Sequence, residues 1–216
     1  DEKNIRLIHI FEDEWTDKKN IIKSRLKNIL NKTKEKIYAR KCTIKEIDVY
    51  HAKEFFNKNH LQGYTNSKYR IGLFYNGQLV SCMLFNNPRV GIGAKYNGYE
   101  LTRFASILDT NIVGGANKIL RYFENKYRPE IIKSYADRRW GQGNIYNILG
   151  FSKNQTNQPN YWYIINNKRK HRFGFRKEIL KKHGFDTKNK TEHQIMTERR
   201  IYRIYDCGTI TFTKKY

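Results

Sequence analysis

The apolar positions of this 216-residue chain change period repeatedly, and each change marks an element. Ile5 to Phe11 (IRLIHIF) is densely apolar and reads as a short buried strand. After the acidic Glu12, Asp13 and Glu14, Thr16 is the expected N-cap of a helix, with Asp17 in its first turn. That helix runs to about Asn31. Ile21, Ile22, Leu26, Ile29 and Leu30 share one face, and Lys18, Lys19, Lys23, Arg25 and Lys27 share the other. Lys32 to Lys36 (KTKEK) is a polar linker. Ile37 to Ile47 alternates like a strand, and Val49 to Asn59 is a helix with Ala52, Phe55 and Phe56 inward. Arg70–Tyr75 and Gln78–Phe85 flank Asn76-Gly77, the strongest short hairpin signal. Tyr99–Ser106 is a strand. A helix opens at Gly114-Gly115 and passes Ile119, Leu120 and Phe123 to about Tyr127. Ile131–Ala136 is a strand, and Gly143–Leu149 is a short helix stopped by Gly150. Asn160–Asn166 is a strand and Lys168–His183 is basic and partly helical. Ile201–Asp206 with Thr209–Thr213 forms a last hairpin. No internal repeat or low-complexity run interrupts this order.

The alternation of strands and helices predicts an α/β (α+β) fold. Charge then changes the picture. There are 43 Lys+Arg against 20 Asp+Glu, a net charge of +23. Phosphate backbones suit such an excess, because each neutralised phosphate releases counterions. The expected partner is nucleic acid, double-stranded DNA first; a ribosomal or membrane-surface role is the plainer alternative. No segment approaches the roughly 20 apolar residues of a membrane span, and no signal peptide opens the chain, so no membrane partner and a cytoplasmic location are expected. Hydrophobic residues at 38% supply a real core for one or two domains. Cys42, Cys82 and Cys207 are odd in number and far apart, which argues against a disulfide framework or a zinc site. The chain starts at Asp1 rather than Met, so a piece of something longer is expected.

Several clusters could carry chemistry. Glu12, Asp13 and Glu14 could hold magnesium beside a strand, or be an acidic turn that favours a helix N-terminus. Gly114, Gly115 and Ala116 leave N–H groups free at a helix start, an anion site, or form only a tight turn. Arg138, Arg139 and Trp140 end a strand and suit phosphate clamping and stacking; Asp137 could orient Arg138 or act as a base. The alternative is an ion-paired loop with Trp140 on the core. His60 and Gln62 could read base edges, or cap a helix C-terminus. Lys168, Arg169, Lys170, Arg172, Arg176 and Lys177, with Phe173 and Phe175 among them, suit backbone tracking.

Gly-Gly-Ala at a helix start and Tyr146-x-x-x-Gly150-Phe151, within Asn111–Phe151, resemble the GNAT acyltransferase fold. The resemblance implies a GNAT-like mixed sheet with flanking helices over 37–166. In that layout two central strands splay, and a helix N-terminus meets a phosphate-bearing cofactor. It also implies that Glu100, Arg103, Asp137 and Tyr146 border the cleft, with Asp137, Tyr146 and Glu100 as catalytic candidates. Asn111, Ile112 and Val113 precede the glycines in a spacing that departs from the usual acyl-CoA loop. The set HIFEDEW, KNHLQG, VGGANK, YADRRW, LGF and IYDCG further resembles phage homing endonucleases of the very-short-patch-repair type. That implies residues 1–31 are the terminal strand and helix of a restriction-endonuclease-like domain. Its magnesium-dependent core would lie upstream, and 167–216 would be a basic extension with a final hairpin. The expected function is the DNA-recognising part of such an endonuclease. The alternatives are a Mom-like N-acyltransferase using acyl-CoA on a nucleobase or RNA, and a nucleic-acid-binding module without chemistry.

Overall fold

A computed structural model describes residues 5–88 and 98–216. The chain begins with two helices, Glu12–Asp17 (α1) and Lys19–Ile29 (α2), broken at Lys18. Next come Glu35–Tyr38 (β1), Thr43–Glu46 (β2), Val49–Asn59 (α3), Tyr69–Tyr75 (β3), Gln78–Asn86 (β4) and Tyr99–Ser106 (β5). Thr110–Val113 (β6), Gly115–Tyr127 (α4), Ile131–Asp137 (β7), Asn144–Ile148 (α5) and Ser152–Thr156 (β8) follow. The last part holds Tyr161–Ile165 (β9), Lys168–His171 (β10), Lys177–Lys182 (α6), Glu192–Glu198 (α7), Arg203–Tyr205 (β11) and Thr209–Lys215 (β12).

Seven strands form the main mixed sheet in the order β2-β3-β4-β5-β7-β12-β8. Neighbours are antiparallel except β5 and β7, which run parallel. That parallel pair is joined only at Tyr99↔Ile132 and Glu100↔Lys133; past Glu100 the two strands part. The chain leaves β5 through β6 and returns to β7 through α4, so the helix crosses beside the fork. This is the α/β layout expected from the sequence, a mixed sheet with flanking helices and a fork between two central strands.

Helices cover both faces of the sheet. α4 lays Ile119, Leu120 and Phe123 on one face, with Phe123 stacked on Phe85 at 3.8 Å and 8°. α3 lays Ala52, Phe55 and Phe56 against Cys82, Leu84 and Ala105 on the other. Truncating a ring such as Phe123 to alanine would cost about 3–5 kcal/mol, through lost transfer energy and the cavity left behind. α2 packs Ile21 and Ile22 on Leu61 and Trp140.

Between β8 and β12 the chain makes an excursion. β10-β9-β11 is a three-stranded sheet of its own, closed by α6 and α7 around Tyr163, Leu180, Ile195 and Met196.

The structure corrects several expected elements. Ile5–Phe11 joins no sheet, although the His9 N–H donates to the Arg139 carbonyl at 3.2 Å. Ile5 and Leu7 are exposed, while Ile8, Ile10 and Phe11 pack inward as an irregular strap. Thr16 is no cap: α1 begins at Glu12, and its acidic first turn complements the helix N-terminus. Leu30 leaves the apolar stripe and is exposed. Ile37–Ile47 is broken by a 3-10 turn at Ala39–Lys41, because β1 pairs in parallel with β6 while β2 edges the main sheet. The last hairpin does not form. β11 pairs with β9, and β12 inserts between β7 and β8. Among the described residues no helix is long and apolar enough to cross a membrane.

Candidate active site in the sheet fork

Where β5 and β7 part, a cleft of about 2780 Å³ opens. Ser134 stitches its closed end. Its hydroxyl lies 2.8 Å from the Leu101 carbonyl and 2.9 Å from the Tyr146 hydroxyl. A serine has one proton to donate. That proton is shared between the two acceptors, and the Tyr146 hydroxyl in turn donates to the Tyr135 carbonyl at 3.4 Å. The Tyr146 ring stacks on Phe212 at 4.8 Å and 22°. Gly143 makes that approach possible: its φ is 81°, and a Cβ there would meet Phe212 Cε2 at 2.5 Å. Burial holds the Tyr146 phenol above its ordinary range, against the opposing pull of Ser134, Arg103 and Arg25.

The N-terminus of α4 forms one wall. Gly114 caps it in the left-handed region at φ 75°, and a Cβ on Gly115 would meet Ile112 Cγ2 at 2.7 Å. Both glycines are therefore required by the turn. The N–H groups of Gly115, Ala116 and Asn117 lie in the first turn, where no intrahelical acceptor exists. No acidic residue occupies that turn, so the helix end presents positive potential to the cleft. Beside it a hollow of about 500 Å³ is lined by Arg40, Asn117, Lys118 and Arg121.

Cations crowd the facing wall. The Arg25 guanidinium lies 4.3 Å over the Trp140 ring, and burial lowers its pKa against the pull of Asp137. His60 ends α3, and its Nδ1 accepts the Gln62 N–H at 3.1 Å, which leaves the ring proton on Nε2. Burial, then Arg103, Arg25 and Lys18, push its pKa down to about 3. The imidazole is thus neutral and acts as a donor, not a cation. Arg103 donates to the carbonyls of Thr102 and Gly63 at 2.8 and 3.4 Å and also lines the cleft.

Several sequence candidates are placed otherwise than expected. Asp137 accepts from Arg139 Nε and Nη2 at 3.1 and 2.7 Å. Arg139 Nη1 reaches Glu14 at 2.8 Å. Arg169 closes the network on Asp13 at 2.8 Å and Glu14 at 2.9 Å. The Phe11 ring sits between the two guanidinium groups, at 4.6 and 3.9 Å. Asp13 and Glu14 are therefore neutralised by arginines, and among the described residues no group of three His, Cys, Asp or Glu could hold a metal ion. Arg139 and Trp140 are buried and face inward, so neither can clamp a phosphate or stack on a base in this geometry. Asp137, committed to Arg139, is no free base.

Other candidates face solvent or the cleft. Glu100 is buried at the closed end of the fork and lines the cleft. Arg138 lines it too and donates to the Cys207 carbonyl at 2.9 Å. Arg172 lines the cleft from the excursion, while Lys170, Arg176 and Lys177 are exposed on that module. Lys168 is exposed and pairs with Asp17 at 2.9 Å. Arg25, grouped by the sequence with the lysines on one face of its helix, and Ser134 were not singled out as site residues. Also unforeseen was the approach of Cys207 Sγ to His9 Nδ1 at 3.7 Å, which no local pattern announces across 198 positions.

No protein-family model matches the chain, and no curated protein matches it. Solved structures do. One is a GNAT family acetyltransferase from Elizabethkingia anophelis with acetyl-CoA bound, at 13% identity over 82% of this chain and 99% of that one, TM-score 0.46. Another is the ribosomal-protein-S18-alanine N-acetyltransferase from Escherichia coli, at 10% identity over 81% and 93%, TM-score 0.47. A third is a Bacillus subtilis acetyltransferase in complex with CoA, at 10% identity over 82% and 99%, TM-score 0.46. The likeness is one of strand and helix arrangement.

Proposed function

We propose that this chain is an N-acyltransferase. Its donor is a phosphate-bearing thioester such as acyl-coenzyme A, and its acceptor is an amine on a nucleic acid. The observation that carries the reading is the fork between β5 and β7, with an uncompensated helix N-terminus on one wall and the Ser134–Tyr146 pair at its base. The N–H groups of Gly115, Ala116 and Asn117 would hold the donor's phosphates. The amine nitrogen attacks the thioester carbonyl, the C–S bond breaks, and the leaving thiolate takes the proton of Tyr146. The acylated nitrogen then loses its proton to solvent water, and solvent returns a proton to the Tyr146 phenolate. Tyr146 suits the acid role because burial keeps it protonated. The charge of +23 favours a polyphosphate acceptor. Nucleobase amines are uncharged at neutral pH and need no prior deprotonation.

The commitment of Asp137 to Arg139 favours a second reading, a nucleic-acid-binding module without chemistry. The narrower reading, the recognition part of a homing endonuclease, draws no support from the arginine-bound Asp13 and Glu14.

Calorimetry with acetyl-CoA on the full chain tests the proposal. Micromolar binding is expected, weakened at least tenfold by Asn117→Glu. A carboxylate in the first turn of α4 favours the helix but repels phosphate, so the melting temperature should hold. No heat up to millimolar donor would sink the transferase reading.

A further inference from the structure

We propose that residues 161–205 are a strand-guiding module for single-stranded nucleic acid. One base stacks on Phe173, and the neighbouring nucleotides pass Trp162 into the cleft. The proposal rests on nucleic acid as the carrier of the acceptor amine.

Topology sets the module apart. β8 and β12 are neighbours in the main sheet, so the chain leaves at Thr156, returns at Thr209, and folds the excursion about its own core. Between 161 and 205 there are 13 Lys+Arg against 4 Asp+Glu, a bias that a phosphate backbone would offset. Phe173 is 54% exposed. Arg172 and Arg176 flank its ring, their guanidinium carbons 5.6 and 5.2 Å from its centre. Nε of Arg172 is enclosed and has no hydrogen-bond partner.

From Phe173 a file of rings leads inward. His171 lies 4.6 Å away, Trp162 is 6.2 Å beyond it, and Phe11 is 6.2 Å beyond that. Trp162 and Arg172 line the cleft itself. An exposed ring with two guanidinium groups over it offers a base a stacking platform shared by the ring and the guanidinium planes, and offers phosphates cationic partners. A paired duplex hides the faces of its bases and cannot use Phe173. A base held in a duplex also cannot reach Tyr146 at the bottom of the fork without being extruded.

Fluorescence anisotropy on the full chain, with no acyl donor present, tests this. The probes are a labelled 12-nucleotide single strand and the blunt duplex of the same sequence. The single strand should bind roughly tenfold more tightly, and Phe173→Ala should weaken it roughly tenfold while leaving the duplex unchanged. Phe173→Tyr should restore single-strand affinity, since it keeps the stacking face. Arg176→Ala should make the salt dependence shallower by about 0.7 in log–log slope. Equal or tighter duplex binding, or indifference to Phe173→Ala, would overturn the proposal. So would binding to phosphatidylglycerol vesicles with the same Phe173 dependence. Because binding is read without donor, Phe173-dependent binding by a protein that transfers nothing would sink only the transferase reading.

Discussion

Arg139 and Glu14 meet at 2.8 Å in the protein interior, 5% and 7% exposed, although 125 residues separate them. Each has a second partner: Arg139 grips Asp137 at the end of β7, and Glu14 grips Arg169 on β10. One carboxylate thus ties α1, the main sheet and the excursion together at the rim of the cleft.

Removing Glu14 leaves Arg139 with Asp137 and Arg169 with Asp13, each short of one partner in a desolvated site. Glu14→Ala should lower unfolding free energy by about 1–3 kcal/mol in urea titration. The exposed pair Glu54–Lys58 is the control, and Glu54→Ala should leave the midpoint unchanged. Equal effects from the two variants would mean that the Glu14 network is not a structural centre.

Tyr146→Phe removes only the hydroxyl and keeps the stack on Phe212. The rate constant for acyl transfer should fall by about 10²–10⁴ with donor affinity unchanged. Because burial raises the phenol's pKa, the parent rate should stay level through neutral pH and decline only on the alkaline side of the ordinary phenol range. The variant should lack that alkaline decline. An unaltered rate constant would take Tyr146 out of the chemistry.

His60 makes stability depend on acid. Its folded pKa is about 3, against about 6.5 for an unhindered imidazole. Below pH 6.5 the unfolded chain binds a proton that the folded one refuses, so stability falls as pH drops toward 3 and is full above 6.5. His60→Gln should flatten that fall. Urea midpoints at pH 7 and pH 4.5 measure it. Parallel losses in parent and variant would show that the ring is not enclosed beside Arg103 and Arg25.

Elements with local causes were legible in the chain. Asn76 and Gly77 take φ of 49° and 79°, as a tight hairpin requires, and β3 and β4 pair about them. The apolar spacing of Ile119, Leu120 and Phe123 and the paired glycines before them announced α4. β8 was illegible because all five of its residues, SKNQT, are polar and exposed; only pairing with β12 makes it a strand. β6 was missed because four residues acquire strand geometry from a parallel partner about 75 positions away.

The sequence alone determined the charge excess, the hairpin, the amphipathic helices and the glycine turn at the α4 N-terminus. Each follows from residues within a few positions of one another. Tertiary structure decided that Arg139 serves Glu14 rather than a phosphate and that Arg25 enters the cleft. It also decided that β12 lies between β7 and β8. A guanidinium looks the same in a sequence whether it will meet a carboxylate or the solvent. Which one it meets depends on long-range closure of the chain, and burial then converts a surface charge into a fixed internal bond.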